Sequence, residues 1–93
     1  MSVTAIHLII HGRVQGVGYR AWAASTARGL GLAGWVRNRR DGTVEAVIAG
    51  EEAIVQRMLA ACHEGSPIAN VTKVEVAAWE GPVPNAFTTQ PTV

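Results

Sequence analysis

The sequence predicts an α+β fold: a β-α-β-β-α-β sandwich with two helices on one face of a four-stranded sheet. Three observations carry the prediction. Apolar residues recur with period two in some segments and with helical spacing in others, and these segments alternate in that order. The chain has 93 residues, so residues 1–93 are expected to form a single domain with one core. Two helices cannot cover both faces of a four-stranded sheet, which puts them together on one face.

The first strand is expected over residues 3–11, where Ile6, Leu8 and Ile10 share a face; Val14 would extend it past Gly12. A glycine-bearing stretch, Val14 to Tyr19, leads into an alanine-rich helix from Arg20 to Arg28. Trp22, Ala23, Thr26, Ala27 and Leu30 recur at helical spacing, and Gly29 and Gly31 stop the helix. Residues Gly34 to Asn38 read as a short strand, and Asp41-Gly42 as a turn. Thr43 to Ala49 alternates, with Val44, Ala46 and Ile48 on one face. Glu51 and Glu52 suit the positive end of a second helix, whose apolar stripe is Ile54, Val55, Met58, Leu59 and Cys62. Gly65, Ser66 and Pro67 end it. Val71 to Trp79 is the fourth strand, with Val74 and Val76 inward. Phe87 to Val93 reads as a weak fifth strand or a tail.

Composition narrows the function. Six arginines and no acid fall in residues 1–40, against two basic and seven acidic residues in 41–93, for a net charge of +1. A near-neutral total excludes a generic electrostatic coat for DNA. One cysteine allows no internal disulfide and no Cys-x-x-Cys zinc site, which fits a reducing compartment. No stretch reads as a signal peptide or membrane span. A soluble, cytoplasmic globule is expected.

Topology points to a site. A right-handed crossover returns the second strand parallel to the first, so their C-terminal ends share one edge of the sheet. Arg20 follows the first strand and Asn38 ends the second. Between strand and helix, glycines let successive N–H groups face one concavity at the positive end of the helix dipole. Arg20 adds a planar, permanently charged fork that fits two phosphate oxygens. The combination reads as a phosphate cradle; a plain tight turn with a solvated arginine is the competing reading of the same residues. Gly16 to Ala21 formally spells G-x-G-x-x-A, but the chain is too short for a dinucleotide fold, and no G-x-x-x-x-G-K-[ST] is present.

Two longer motifs are more specific. Gly12-Arg13-Val14-Gln15-Gly16-Val17-Gly18-Tyr19-Arg20 fits G-x-V-Q-G-V-x-[FY]-R. Gly34-Trp35-Val36-Arg37-Asn38, then Gly42-Thr43-Val44 and Gly50, fits G-[FYW]-x-x-N-x-x-x-G-x-V-x-x-x-x-x-G. In both, roughly over residues 5–80, the sequence resembles the acylphosphatase family. The resemblance implies a ferredoxin-like sandwich with an antiparallel sheet in the order 4-1-3-2. It implies metal-independent hydrolysis of acyl phosphates to a carboxylate and inorganic phosphate, with no cofactor. Arg20 and Asn38 would be the catalytic residues. The backbone N–H groups of Gln15, Gly16, Val17, Gly18 and Tyr19 would bind the phosphoryl group with Arg20, and Asn38 would orient the attacking water. Inorganic phosphate or sulfate would compete for the site. One departure stands out: the family's closing strand has an aromatic-x-aliphatic pattern, and here Phe87-Thr88-Thr89 puts a threonine in the aliphatic place. That touches the last strand and is expected to leave the site alone.

The remaining residues have simpler readings. His7 and His11, about 13 Å apart along a strand, are solvent-side and do not share a metal ion. Cys62 is a small core residue. His63 and Glu64 are exposed at a helix end. Arg37, Arg39 and Arg40 are expected to flank the site and attract anions, a solvated hairpin tip being the alternative. Trp22 is expected in the core, and Trp35 and Trp79 partly exposed. A nucleic-acid module would show aromatics on the central strands, and these have none. An anion sensor without catalysis, or a detached domain of the hydrogenase-maturation carbamoyltransferases, is the other alternative. A monomer acting on a small molecule, with no nucleic acid or membrane partner, is the expectation.

Overall fold

The computed structural model describes residues 2–93. Its elements are β1 (Val3–Arg13), α1 (Tyr19–Gly29), β2 (Ala33–Asn38), β3 (Val44–Glu51), α2 (Glu52–Glu64), β4 (Asn70–Ala78) and β5 (Phe87–Thr89). Both helices pack on one face of the sheet: α1 over β2 and β5, α2 over β1, β3 and β4. Period-two alternation puts Ile6, Leu8 and Ile10 under the helices, and the register Leu8↔Ala46 and Ile10↔Val44 carries the same face onto β3. Val36, Ile48, Val55, Met58 and Cys62 belong to the same core, with Ala23 and Ala27 of α1 and Phe87 of β5. Full burial of one such aliphatic side chain stabilises the fold by about 1.5–3 kcal/mol relative to leaving it exposed.

The strand order β4-β1-β3-β2 is the expected one, but the sheet gains a fifth strand and is mixed. β5 pairs parallel with β2, Gly34↔Phe87 to Val36↔Thr89. The segment after β4 must pass from one edge of the sheet to the other, and it does so across the face that the helices leave open. Trp79 stacks on His7 there, ring centroids 5.5 Å apart, and meets Trp35 edge-on at 6.1 Å. Trp35 is therefore 6% exposed, against the expectation of partial exposure. Pro91 has no N–H to give, yet pairing continues on either side of it: Gln90 N–H donates to Val36 O at 2.9 Å before it, and Val93 N–H to Asn38 O at 3.1 Å beyond it.

Two core assignments need correction. Val76 lies opposite Leu8 on the helix side, but β4 is an edge strand that α2 does not fully cover, so Val76 is 48% exposed. Trp22 is only half-buried, packed against the margin of the core with its ring tilted against Tyr19 at 5.3 Å.

Candidate active site

β1 ends after a register shift at His11/Gly12, and Val14 buries its side chain completely at the start of the loop. The loop then reaches α1 through Gly16 (φ 73°) and Gly18 (φ 75°), both in the left-handed region that glycine alone enters without strain. Gly18 is the N-cap of α1 and offers no side chain to its N–H groups. The first N–H to close on a carbonyl is that of Trp22, which donates to Gly18 O at 3.0 Å. Among the described residues, no protein acceptor is hydrogen-bonded to the backbone N–H groups of Gly16 to Ala21. Those of Gly18 to Ala21 are the unpaired donors that every helix start carries, here without a side-chain cap and without an acidic residue in the first turn.

Gly16, Gly18, Tyr19, Arg20 and Ala21 of this stretch line a cleft of about 300 Å³, together with Val14, Asn38 and Thr89. Arg20, half-exposed, makes no ion pair among the described residues. Asn38 arrives from the end of β2. Its Oδ1 is buried and has no hydrogen-bond partner among the described residues. An unpaired buried acceptor of this kind costs about 1–3 kcal/mol. Among the described residues, the cleft lining holds no carboxylate, imidazole or thiol, and its one phenol, Tyr19, points away. Tyr19 OH donates to Cys62 O at 2.8 Å, and burial pushes the phenol well above its ordinary range.

A model of the acylphosphatase family matches residues 6–89. The chain belongs to the acylphosphatase family. It is 58% identical to an acylphosphatase of Azorhizobium caulinodans over 77 residues, 83% of each chain. Among solved structures, an acylphosphatase from Coxiella burnetii superposes with a TM-score of 0.90 at 33% identity, covering 95% of this chain and 93% of that one. One from Bacillus subtilis gives 0.85 at 37%, covering 96% and 99%. The family is one of hydrolases that cleave acyl phosphates, small-molecule substrates.

Of the residues the sequence singled out, Gly16, Gly18, Tyr19, Arg20 and Asn38 meet in the cleft. Gln15 and Val17 do not line it. The Gln15 side chain turns to the β2–β3 hairpin, where Nε2 donates to Arg39 O at 2.7 Å and Thr43 O at 2.8 Å. Val17 is 7% exposed in the core. Two expectations fail. Thr89, the departure expected to leave the site alone, lines the cleft: it follows the buried Phe87 by two residues on the same strand face, which brings it toward the N-terminal end of α1. Arg37 does not flank the site. It alternates with Asn38 and points through the opposite face, where Nε donates to Glu45 Oε1 at 2.7 Å and the guanidinium stacks on Trp35 at 4.6 Å. Burial alone would raise the Glu45 carboxyl, but hydrogen bonds from His7 and Arg37 outweigh it and hold it below the ordinary value.

Arg39 approaches Asp41 at 3.8 Å and Arg40 is exposed at the hairpin tip. His11 pairs with Glu75 at 2.5 Å on the open face. Cys62 is 1% exposed with its thiol pushed up to about 11 by burial, the state of an inert core thiol. No group of three or more His, Cys, Asp or Glu among the described residues is placed to hold a metal ion. No helix among them is long and apolar enough to cross a membrane.

Proposed function

We propose that this chain hydrolyses acyl phosphates through the residues of this cleft, with Arg20 and Asn38 as its catalytic residues. Arg20 and the backbone N–H groups of Gln15 to Tyr19 hold the phosphoryl oxygens. Asn38 orients the attacking water. The observation that carries the reading is the convergence of unbonded N–H groups, an unpaired guanidinium and an unpartnered amide oxygen on one cleft. A water donating to Asn38 Oδ1 would satisfy an acceptor that the protein leaves alone.

The chemistry asks little beyond this. A carboxylate leaves readily, so no strong general acid is needed, and phosphoryl transfer rests mainly on positioning and on stabilising charge at the equatorial oxygens. An amide does not accept a proton at neutral pH, so the water's proton goes to a phosphoryl oxygen of the substrate. The rate therefore shows no titration of a cleft carboxylate, imidazole or thiol. The protein acts as a cytoplasmic monomer and one domain over residues 1–93, without nucleic acid, and inorganic phosphate or sulfate competes with substrate.

Hydrolysis of benzoyl phosphate, followed by ultraviolet absorbance, tests the reading. Arg20→Ala is expected to weaken phosphate inhibition and to cost about 10²–10³-fold in turnover, the loss typical of an oxyanion donor. Asn38→Ala is expected to keep phosphate inhibition and lose most of kcat. An Arg20→Ala protein that binds phosphate normally, or an Asn38→Ala protein with unchanged kcat, refutes the assignment. Phosphate binding with no turnover would make the chain an anion sensor instead.

A further inference from the structure

The middle of the cradle loop is held from beneath by a residue that no motif connects to the site. Ser66 Oγ donates to Val17 O at 3.0 Å, and Ser66 is 4% exposed. Ser66 lies in the turn after α2, which is itself closed by Ala69 N–H donating to Ser66 O at 3.0 Å. The next turn of contact is fixed as well, through Tyr19 OH and Cys62 O at the end of α2. The hydroxyl therefore stands on a rigid base.

A peptide unit is planar, and in the trans form its C=O and N–H point in opposite directions. No cis peptide occurs among the described residues. Turning Val17 O down to Ser66 thus turns the N–H of Gly18 the other way, and Gly18 lines the cleft. This peptide precedes a glycine. Glycine enters positive and negative φ about equally, so rotation of the Val17–Gly18 peptide is sterically open. The rotated form would put a carbonyl where the anion needs a donor.

We propose that Ser66 is a positioning residue: it locks the Val17–Gly18 peptide with its N–H toward the phosphoryl group. The proposal rests on the reading of the loop as a phosphate cradle. Its consequence is a particular kinetic pattern. Without the lock, only a fraction of molecules has the donor in place, and apparent affinity falls by that fraction. Saturating ligand restores the competent form, so KM and the phosphate inhibition constant rise together while kcat is retained.

The test uses Ser66→Ala, Ser66→Thr and the unmodified protein. Ser66→Ala is expected to raise KM and the phosphate constant by the same factor, roughly 3- to 10-fold, about what one net hydrogen bond is worth. Ser66→Thr keeps the hydroxyl and is expected to stay close to the unmodified values. In ¹⁵N–¹H spectra of the unmodified protein, the Gly18 amide is expected to move downfield as inorganic phosphate is added. A folded Ser66→Ala protein with unchanged KM and phosphate constant overturns the lock. So does a Gly18 amide that ignores phosphate while those of Gly16 and Arg20 respond, and this reading needs no variant to fold. If no loop amide responds to phosphate at all, the cradle reading fails together with the lock.

Discussion

Gln15 ties the cradle loop to the hairpin that follows Asn38, and removing that tie gives a test whose size follows from the bonding. Its Nε2 donates to Arg39 O at 2.7 Å and to Thr43 O at 2.8 Å. Each carbonyl also has a backbone partner: Gly42 N–H reaches Arg39 O at 3.1 Å, and Arg39 N–H reaches Thr43 O at 2.9 Å. Gln15→Leu therefore removes two hydrogen bonds without orphaning an acceptor. At about 1 ± 0.5 kcal/mol per net bond, with no added desolvation penalty, the expected loss is about 1–3 kcal/mol. For a chain of this size that lowers Tm by about 4–24 °C. Phosphate inhibition and kcat should both weaken, because the bonds set the spacing between loop and Asn38. Gln15→Glu adds a pH signature. A carboxylate facing two carbonyls is disfavoured, so its folded pKa rises above the unfolded one. The protonated form's stability is then present below the unfolded value and lost as pH rises through the folded one. Gln15→Glu should accordingly melt higher at acid pH than at neutral pH, relative to the parent at each pH. Calorimetry and benzoyl phosphate kinetics measure all of this. A Gln15→Leu protein with unchanged Tm and kinetics would refute the argument.

Three further outcomes are expected. Gly18→Ala meets no heavy atom within 4 Å of the new Cβ, so its stability cost is the left-handed strain alone, about 1–2 kcal/mol, while the methyl narrows the cradle and phosphate titration should show weaker binding. Arg37→Ala should keep kcat and phosphate inhibition, since the guanidinium lies across the sheet from the cleft; steady-state kinetics will show it. Glu45, held below its ordinary value of 4.5, contributes stability that is present above 4.5 and lost as pH falls through the lower folded value, so urea unfolding of Glu45→Gln should depend less on pH in the acid range.

Strand alternation made much of this fold readable. Ile6, Leu8 and Ile10 declared the face of β1, and Val44, Ala46 and Ile48 the matching face of β3. The Asp41-Gly42 turn and the order of elements followed from local chemistry. What escaped was decided by partners distant in sequence. Val76 has the pattern of a core residue, but edge position is a property of the sheet and not of the strand. Trp35 is buried because the segment beyond Trp79 crosses its face, which no local pattern encodes. Arg37 was legible in principle: if Val36 is buried beneath α1, period two sends Arg37 to the other face with Trp35. The Gly16–Gly18 loop, Arg20 and Asn38 were visible because they are crowded into two motifs. Thr89 and Ser66 reach the same region from single positions in turns and an edge strand, without a motif.

The arginines show why a charge tally misleads here. Six of them precede residue 41, which reads as a basic half seeking an anion. Only Arg20 lines the cleft. Arg28 closes α1 onto β5, its Nε donating to Phe87 O at 3.0 Å. Arg37 and Arg39 meet Glu45 and Asp41, acids of the second half that the β2–β3 hairpin folds back on them. Two of the six arginines are thus met by acids of the other half through a single turn. What remains at the cleft is one guanidinium and a set of neutral backbone donors. Dipoles of that kind act at contact distance, whereas net charge steers over a Debye length of about 10 Å at 0.1 M salt. On the proposed reading of the cleft, recognition of the phosphoryl group belongs to geometry more than to field. On that argument kcat/KM should fall only modestly with added sodium chloride, and a steep fall would mean that the exposed Arg13 and Arg40 take part in capture.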